Sequence, residues 1–413
     1  MSGPTRTLSH IPFFEALASS EETSEEWREV TAGLVTVRLF DAWMTEGVSV
    51  VASDSWSLLS VREAISRIET RHSIRSLLSS VVDAMDAAPT PRAATVAPRL
   101  LAYGRALQLD GQWALAGDVF NTIIAYSYAS EEPDVYAAAN MHLGRCLRMT
   151  ADWNGALAAY RSAGDVAMMA GDTVTALRSR VGEAAVARDR GNLPLAESLL
   201  DETIQEAQSA GLKDIRSTAL HARAAVAHRR GQFELAVQLG YDALQGSTGT
   251  DRDNILADLA ASFFDLGARS VARDAYLVLA ATAREQYTRW QSTINLIELA
   301  ALDGSEPLFE QHRRELADAP LPAYLAAYYH LYVGRGYKLF QQLDTARSEM
   351  ELALSIASAN QLNQVIIEAE MALHDIKDGG VVILSQKSRT ELPPEIVPAA
   401  AAIREMRALA GVR

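Results

Sequence analysis

Small residues recur along this chain in pairs at intervals of forty: Gly104 with Ala116, Gly144 with Ala156, Ala184 with Ala196, and Ala224 with Ala236. The two members of each pair lie twelve residues apart, with a turn signal between them. That regularity predicts helix-turn-helix repeats stacked into a solenoid. A small residue near the middle of the first helix lets the second approach closely, and the alanine early in the second faces it. Glycine is expected to end the first helix, where the backbone needs φ > 0. Gly111, Gly191, Gly231 and Gly267 stand there, with Ala151 and Gln341 as exceptions. Two residues further on most copies carry a bulky side chain: Trp113, Trp153, Leu193, Phe233 and Leu343. Four residues past the alanine position comes another, at Phe120, Tyr160, Leu200, Tyr276 and Met350, with Gly240 breaking the rule.

The segments LGRCLRMTADWNGALAAYRSAG (143–164), RDRGNLPLAESLLDETI (188–204) and HRRGQFELAVQLGYDAL (228–244) resemble the tetratricopeptide repeat family. The resemblance covers roughly residues 97–376, with further copies at 265–279 and 334–353 and a degenerate one over 287–318. The family's usual period is about 34 residues; the longer period here is similar to the repeats of bacterial regulatory sensors and scaffold adaptors. It implies an all-α, right-handed solenoid of antiparallel helix pairs that binds a protein or peptide and seldom does chemistry.

Composition agrees. A single globular domain of 413 residues would be unusual, whereas a solenoid has no such ceiling. Alanine-rich runs favour helix, and one strand is expected, over GGVVILSQ (379–386). No secretory signal or membrane span is expected from the sequence. A lone cysteine, Cys146, excludes an intrachain disulfide framework and reads as a small buried hydrophobe. A cytoplasmic location follows. The net charge of −14 disfavours broad nucleic-acid binding, which needs a basic footprint.

Residues 1–90 do not follow the repeat and form an expected N-terminal helical module. Thr23 or Ser24 can cap a helix running through to Gly47, with Glu25, Glu26 and Glu29 near its positive end. Its apolar residues nearly encircle it, which predicts burial on more than one side. Helices are expected near 57–69 and 73–87, and APTPRAATVAP (88–98) reads as a linker. Arg62, Arg67, Arg71 and Arg75 raise the alternative of a transcriptional regulator that contacts DNA through residues 57–87. Against it, residues 1–90 hold 7 Arg and Lys to 13 Asp and Glu. A cap or dimerisation module is the preferred reading.

In the family, first helices line the concave groove, and certain positions around the small marker point into it. Those positions carry Arg105, Arg145, Arg148, Arg188, His221, His228, Arg229, Arg335 and Lys338 here, and Arg178 adds to the same wall. Only Asp189 and Asp265 oppose them. Guanidinium matches carboxylate and phosphate with paired hydrogen bonds, so the expected partner is an acidic or phosphorylated protein segment. The competing reading is a solvated face whose arginines suit the helix C-terminal dipole. Asn140 and Asn254 do not occupy the positions of the family's carboxylate clamp well.

No HExxH, CxxC, Gly-x-Ser-x-Gly or phosphate-loop motif is present, and the eight histidines are dispersed. No enzyme activity, metal or cofactor is expected. His221 and His228 share a helix face but are too distant to chelate one metal unaided. Residues 361–379 are expected to close the stack with a polar outer face. The extension 377–413 adds an apolar run and a final helix from about 395 to 410, which folds back on the solenoid or meets a second subunit.

Overall fold

The computed structural model describes residues 9–377 and 391–412, apart from 23, 53–54, 70–71 and 130. The described residues contain twenty α-helices and no strand; the strand expected over 379–386 lies outside them, as do Thr23 and Arg71. The chain forms two compact units, Met1–Ile215 and Arg216–Arg413.

The first unit opens with α1 (Ile11–Ser19), α2 (Glu25–Glu46), α3 (Trp56–Ser66) and α4 (Ser73–Asp86). Helix pairs follow: α5 (Ala93–Leu109) with α6 (Trp113–Tyr126), α7 (Pro133–Met149) with α8 (Trp153–Met169), and α9 (Thr173–Asp189) with α10 (Leu193–Ser209). Ser24 caps α2, its hydroxyl accepting the Trp27 amide at 3.1 Å, and Glu25 and Glu26 fill the first turn. The encircling apolar residues of α2 are explained by its neighbours, since it touches α1, α3, α4 and α6. One core runs from Phe13 and Trp43 through Leu78, Leu100 and Phe120 to Ala159. His10 is buried and its Nδ1 lies 2.6 Å from Asp118 Oδ2, tying α1 to α6. Of the expected linker 88–98, only residues 88–92 are non-helical and connect α4 to the next helix. Helix α5 begins at Ala93 and carries Pro98 inside it. Burial of Val96, Ala97 and Leu100 outweighs the one backbone bond that a proline removes.

The second unit begins within α11 (Lys213–Arg229), which pairs with α12 (Phe233–Gln245). Then come α13 (Gly249–Asp265) with α14 (Arg269–Thr282), α15 (Gln286–Leu302) with the short α16 (Glu306–Leu316), α17 (Ala323–Leu339) with α18 (Leu343–Ala359), and α19 (Asn363–Lys377). Helices α15 and α16 are the degenerate copy. Helix α19 exposes Ile367 and Met371, so the expected polar outer face is only partly polar. The final helix, α20 (Val397–Ala410), lies on α14 and α12. Ile396, Ala399, Ala400 and Ile403 are buried there, and Arg407 Nη1 meets Asp274 Oδ1 at 2.5 Å. The extension therefore folds back on its own unit.

The repeat rule has a visible cause. The ring of Phe120 lies over Gly104, that of Tyr160 over Gly144, and Met350 over Gly334. The turns agree as well. Gly111, Gly191, Gly231 and Gly267 have φ of 76°, 81°, 73° and 84°, and the two exceptions, Ala151 and Gln341, are forced to 62°. In each, the next residue's amide bonds back five residues, as from Asp152 to the Leu147 carbonyl at 2.8 Å. A side chain in this left-handed conformation costs about 1–2 kcal/mol. Ala151→Gly is therefore expected to stabilise by about 1 kcal/mol in urea unfolding; a loss of stability would contradict the strain.

Candidate functional site

Within each unit the first helices succeed one another, α5 against α7 and α7 against α9 in the first, and α13, α15, α17 and α19 in the second. Their shared face carries the cations that the sequence singles out.

In the first unit, Arg105 and Arg145 are exposed and form no ion pair among the described residues. The guanidinium of Arg145 lies over the Trp113 ring at 5.8 Å, a cation–π contact that leaves its N–H donors unspent. His142 is stacked on Phe120 at 5.1 Å and donates from Nδ1 to Gln108 Oε1 at 3.2 Å. Burial, then the positive fields of Arg105 and Arg145, push its pKa down to about 4, so it is neutral at pH 7. Arg148 and Arg188 behave differently. Both bond to Asp189, at 2.5 and 2.9 Å, and all three side chains are partly buried. Burial opposes the Asp189 charge, but the two guanidiniums outweigh it and hold its carboxyl below the usual range. Arg178 is exposed, near enough for its charge to act on Asp172. Cys146 is buried, and burial pushes its thiol up to about 11, which suits packing and not nucleophilic chemistry.

In the second unit the candidate side chains lie beside acids. His221 pairs with Asp258 at 2.7 Å, and His228 Nε2 lies 2.8 Å from Asp265 Oδ2. Arg335 is held by Glu368 at 2.7 Å, with Glu298 at 3.9 Å, and Lys338 by Asp375 at 3.3 Å. Arg229 is exposed at the end of α11. The expectation that only Asp189 and Asp265 oppose the cations is thus corrected: Asp258, Glu298, Glu368 and Asp375 do so too. Each belongs to a neighbouring first helix at a shifted position, so a scan of equivalent positions passes over them.

The sequence reading also missed an aromatic stripe. Tyr324, Tyr328 and Tyr332 recur at spacing four on α17, with ring centroids 5.0 and 5.8 Å apart, and Arg335 covers the last at 5.7 Å. The run AYLAAYYHLY (323–332) carries that spacing openly. Asn140 is buried and bonds back to the Tyr136 carbonyl at 2.9 Å, so it offers nothing to a ligand. In the N-terminal region Arg62 bonds to Asp83 and Asp86 at 3.1 and 2.9 Å, and Arg67 to Glu63 at 2.6 Å. Among the described residues no group of three or more His, Cys, Asp or Glu is arranged to hold a metal, and no helix is long and apolar enough to cross a membrane.

No protein-family model and no curated protein matches this chain. Among solved structures it is similar to the Rap conjugation gene regulator of plasmid pLS20 in complex with the Phr* peptide. That match has 15% identity over 82% of this chain and 97% of the other, with a TM-score of 0.49. The apo quorum sensor NprR from B. thuringiensis matches at 11% identity over 83% and 92% of the two chains, with a TM-score of 0.47. A Rap protein complexed with competence and sporulation factor matches at 12% identity over 86% and 99%, with a TM-score of 0.45. The chain's own geometry is more specific: paired helices at a forty-residue period, left-handed turn residues, and a ring or thioether seated on the small markers Gly104, Gly144 and Gly334. On those features it is an all-α repeat protein built of stacked helix pairs, similar in design to tetratricopeptide repeats.

Proposed function

We propose that the chain is a non-enzymatic repeat scaffold or sensor, and that the first-helix face of its first unit holds an acidic or phosphorylated segment of a partner protein. The observation that carries this reading is the local charge. Among the described residues Arg105 and Arg145 form no ion pair, Arg148 and Arg188 bond to Asp189, and the charge of Arg178 acts on exposed Asp172, in a chain of net charge −14. Arg105 and Arg145 are the available pair, one repeat apart, while Arg148 and Arg188 brace each other through Asp189. Their guanidiniums suit carboxylate or phosphate oxygens. The paired side chains of the second unit, His221, His228, Arg335 and Lys338, contribute less on this reading. The alternative of DNA contact through residues 57–87 draws no support from Arg62 and Arg67, whose charges are already met by Asp83, Asp86 and Glu63.

The test is a peptide array of random sequence, with and without phosphorylated positions, probed with the whole chain. Bound peptides should be enriched in Asp, Glu or phosphoresidues, and their affinity should fall with salt. Arg105→Glu combined with Arg145→Glu should weaken binding at least tenfold, roughly the worth of one charge-assisted hydrogen bond. No acidic enrichment, or unchanged affinity in the double variant, overturns the proposal. Arg148 and Arg188 are left intact because reversing them would strand Asp189.

A further inference from the structure

A cleft of about 640 Å³ opens in the second unit. Its walls are α14 and α16, its floor is α15, and its lip is the end of α20. It exists because α16 has only 11 residues and α20 closes the side that would otherwise be open. That volume lies within the range of small-molecule sites.

The lining has both charges. Arg273 and Arg407 supply guanidiniums, and Asp274 and Glu315 supply carboxylates. Asp274 is buried and bonded to Arg407 at 2.5 Å; Arg407 Nε also reaches the Val412 carbonyl at 3.2 Å. Arg273 Nη1 lies 3.3 Å from Asp303. Buried His312 bonds through Nδ1 with Glu315 at 3.2 Å. A guanidinium has five N–H donors, so each arginine keeps donors beyond these contacts. Between the charged groups the surface is apolar, with Leu277 and Leu296.

We propose that this cleft binds a small zwitterion with apolar side chains: an apolar amino acid, or a di- or tripeptide with free ends. A purely anionic ligand would meet Asp274 and Glu315, and a purely cationic one Arg273 and Arg407. A zwitterion places its carboxylate at the guanidiniums and its ammonium at the carboxylates, and lays its side chains on the leucines. The lining shares no residue with the acidic-segment face, so this inference stands or falls independently of it.

Isothermal titration of the whole chain with L-leucine, with the dipeptide Leu-Leu, and with Leu-Leu blocked at both ends tests it. At least one free-ended probe should bind at roughly millimolar strength or better, and the stronger of the two identifies the source. The blocked dipeptide should bind at least about tenfold more weakly. Arg273→Met should cost a similar factor; this residue is only partly buried, and its unliganded thermal midpoint checks that the unit remains folded. Arg407 is not the variant of choice, because its loss strands buried Asp274. No binding by either free-ended probe, equal binding by the blocked dipeptide, or an unchanged affinity in folded Arg273→Met overturns the proposal.

Discussion

Gly144→Leu lowers the unfolding free energy by about 1–3 kcal/mol, the usual penalty for added volume in a filled core. Even a methyl group at Gly144 would stand 2.9 Å from the Tyr160 ring, and Tyr160 is buried with no room to retreat. Ala156→Phe, at a side chain with no exposure, should behave alike. A drop of roughly 2–4 °C in Tm per kcal/mol is expected for a unit of this size. Gly117→Ala supplies the contrast. Its new methyl would meet Cys146 and Leu143 at 3.6 and 3.8 Å, ordinary contact. It should therefore stabilise, by up to about 1 kcal/mol of helix propensity. Two helical glycines, one filled against and one not, thus shift stability in opposite directions. If both variants unfold at the wild-type midpoint, the close approach at the small markers is not what holds the pairs together.

What could be read from the sequence was whatever repeats. Position-specific demands, such as a left-handed turn residue or a small residue beneath Tyr160, recur in every copy and so rise above the noise of one chain. Ala151 and Gln341 adopt the glycine conformation because the turn imposes it, not because their own preferences do. The proline-rich start of α5 went the other way: local propensity argued for a linker, and burial of Val96 and Leu100 decided for helix. The candidate site was only half legible. Arg105 and Arg145 could be found from their register alone. Their distinction from Arg335 and Lys338 could not, because an ion pair between neighbouring repeats depends on offsets set by packing. Glu368 and Asp375 sit 33 and 37 residues beyond their partners, neither at the repeat distance.

Glu298→Gln should make the second unit more stable at pH 8 and leave it nearly unchanged at pH 4. Burial pushes the Glu298 carboxyl up to about 7; the Arg335 field works against this, and the Glu368 and Asp265 charges add to it. Arg269 of α14 also faces it, as do the Tyr276 and Tyr332 rings. The guanidinium of Arg335 cannot restore the charge fully, because Glu368 holds it at 2.7 Å while Glu298 stands at 3.9 Å. Two carboxylates sharing one cation leave an excess negative charge, which the folded unit neutralises with a proton. The unfolded chain releases that proton near 4.5, the ordinary value. Between the two values the folded state binds more protons than the unfolded one, so stability falls as pH rises from about 4.5 to about 7 and then levels off. The whole effect is about 1–3 kcal/mol. Glutamine has the same shape and no charge to neutralise, so the variant should lose this slope while Arg335 keeps Glu368. Urea unfolding at a series of pH values measures it. A stability difference between variant and wild type that does not change with pH would mean that Glu298 is ionised in the fold, and that the charge balance around Arg335 is not as the geometry gives it.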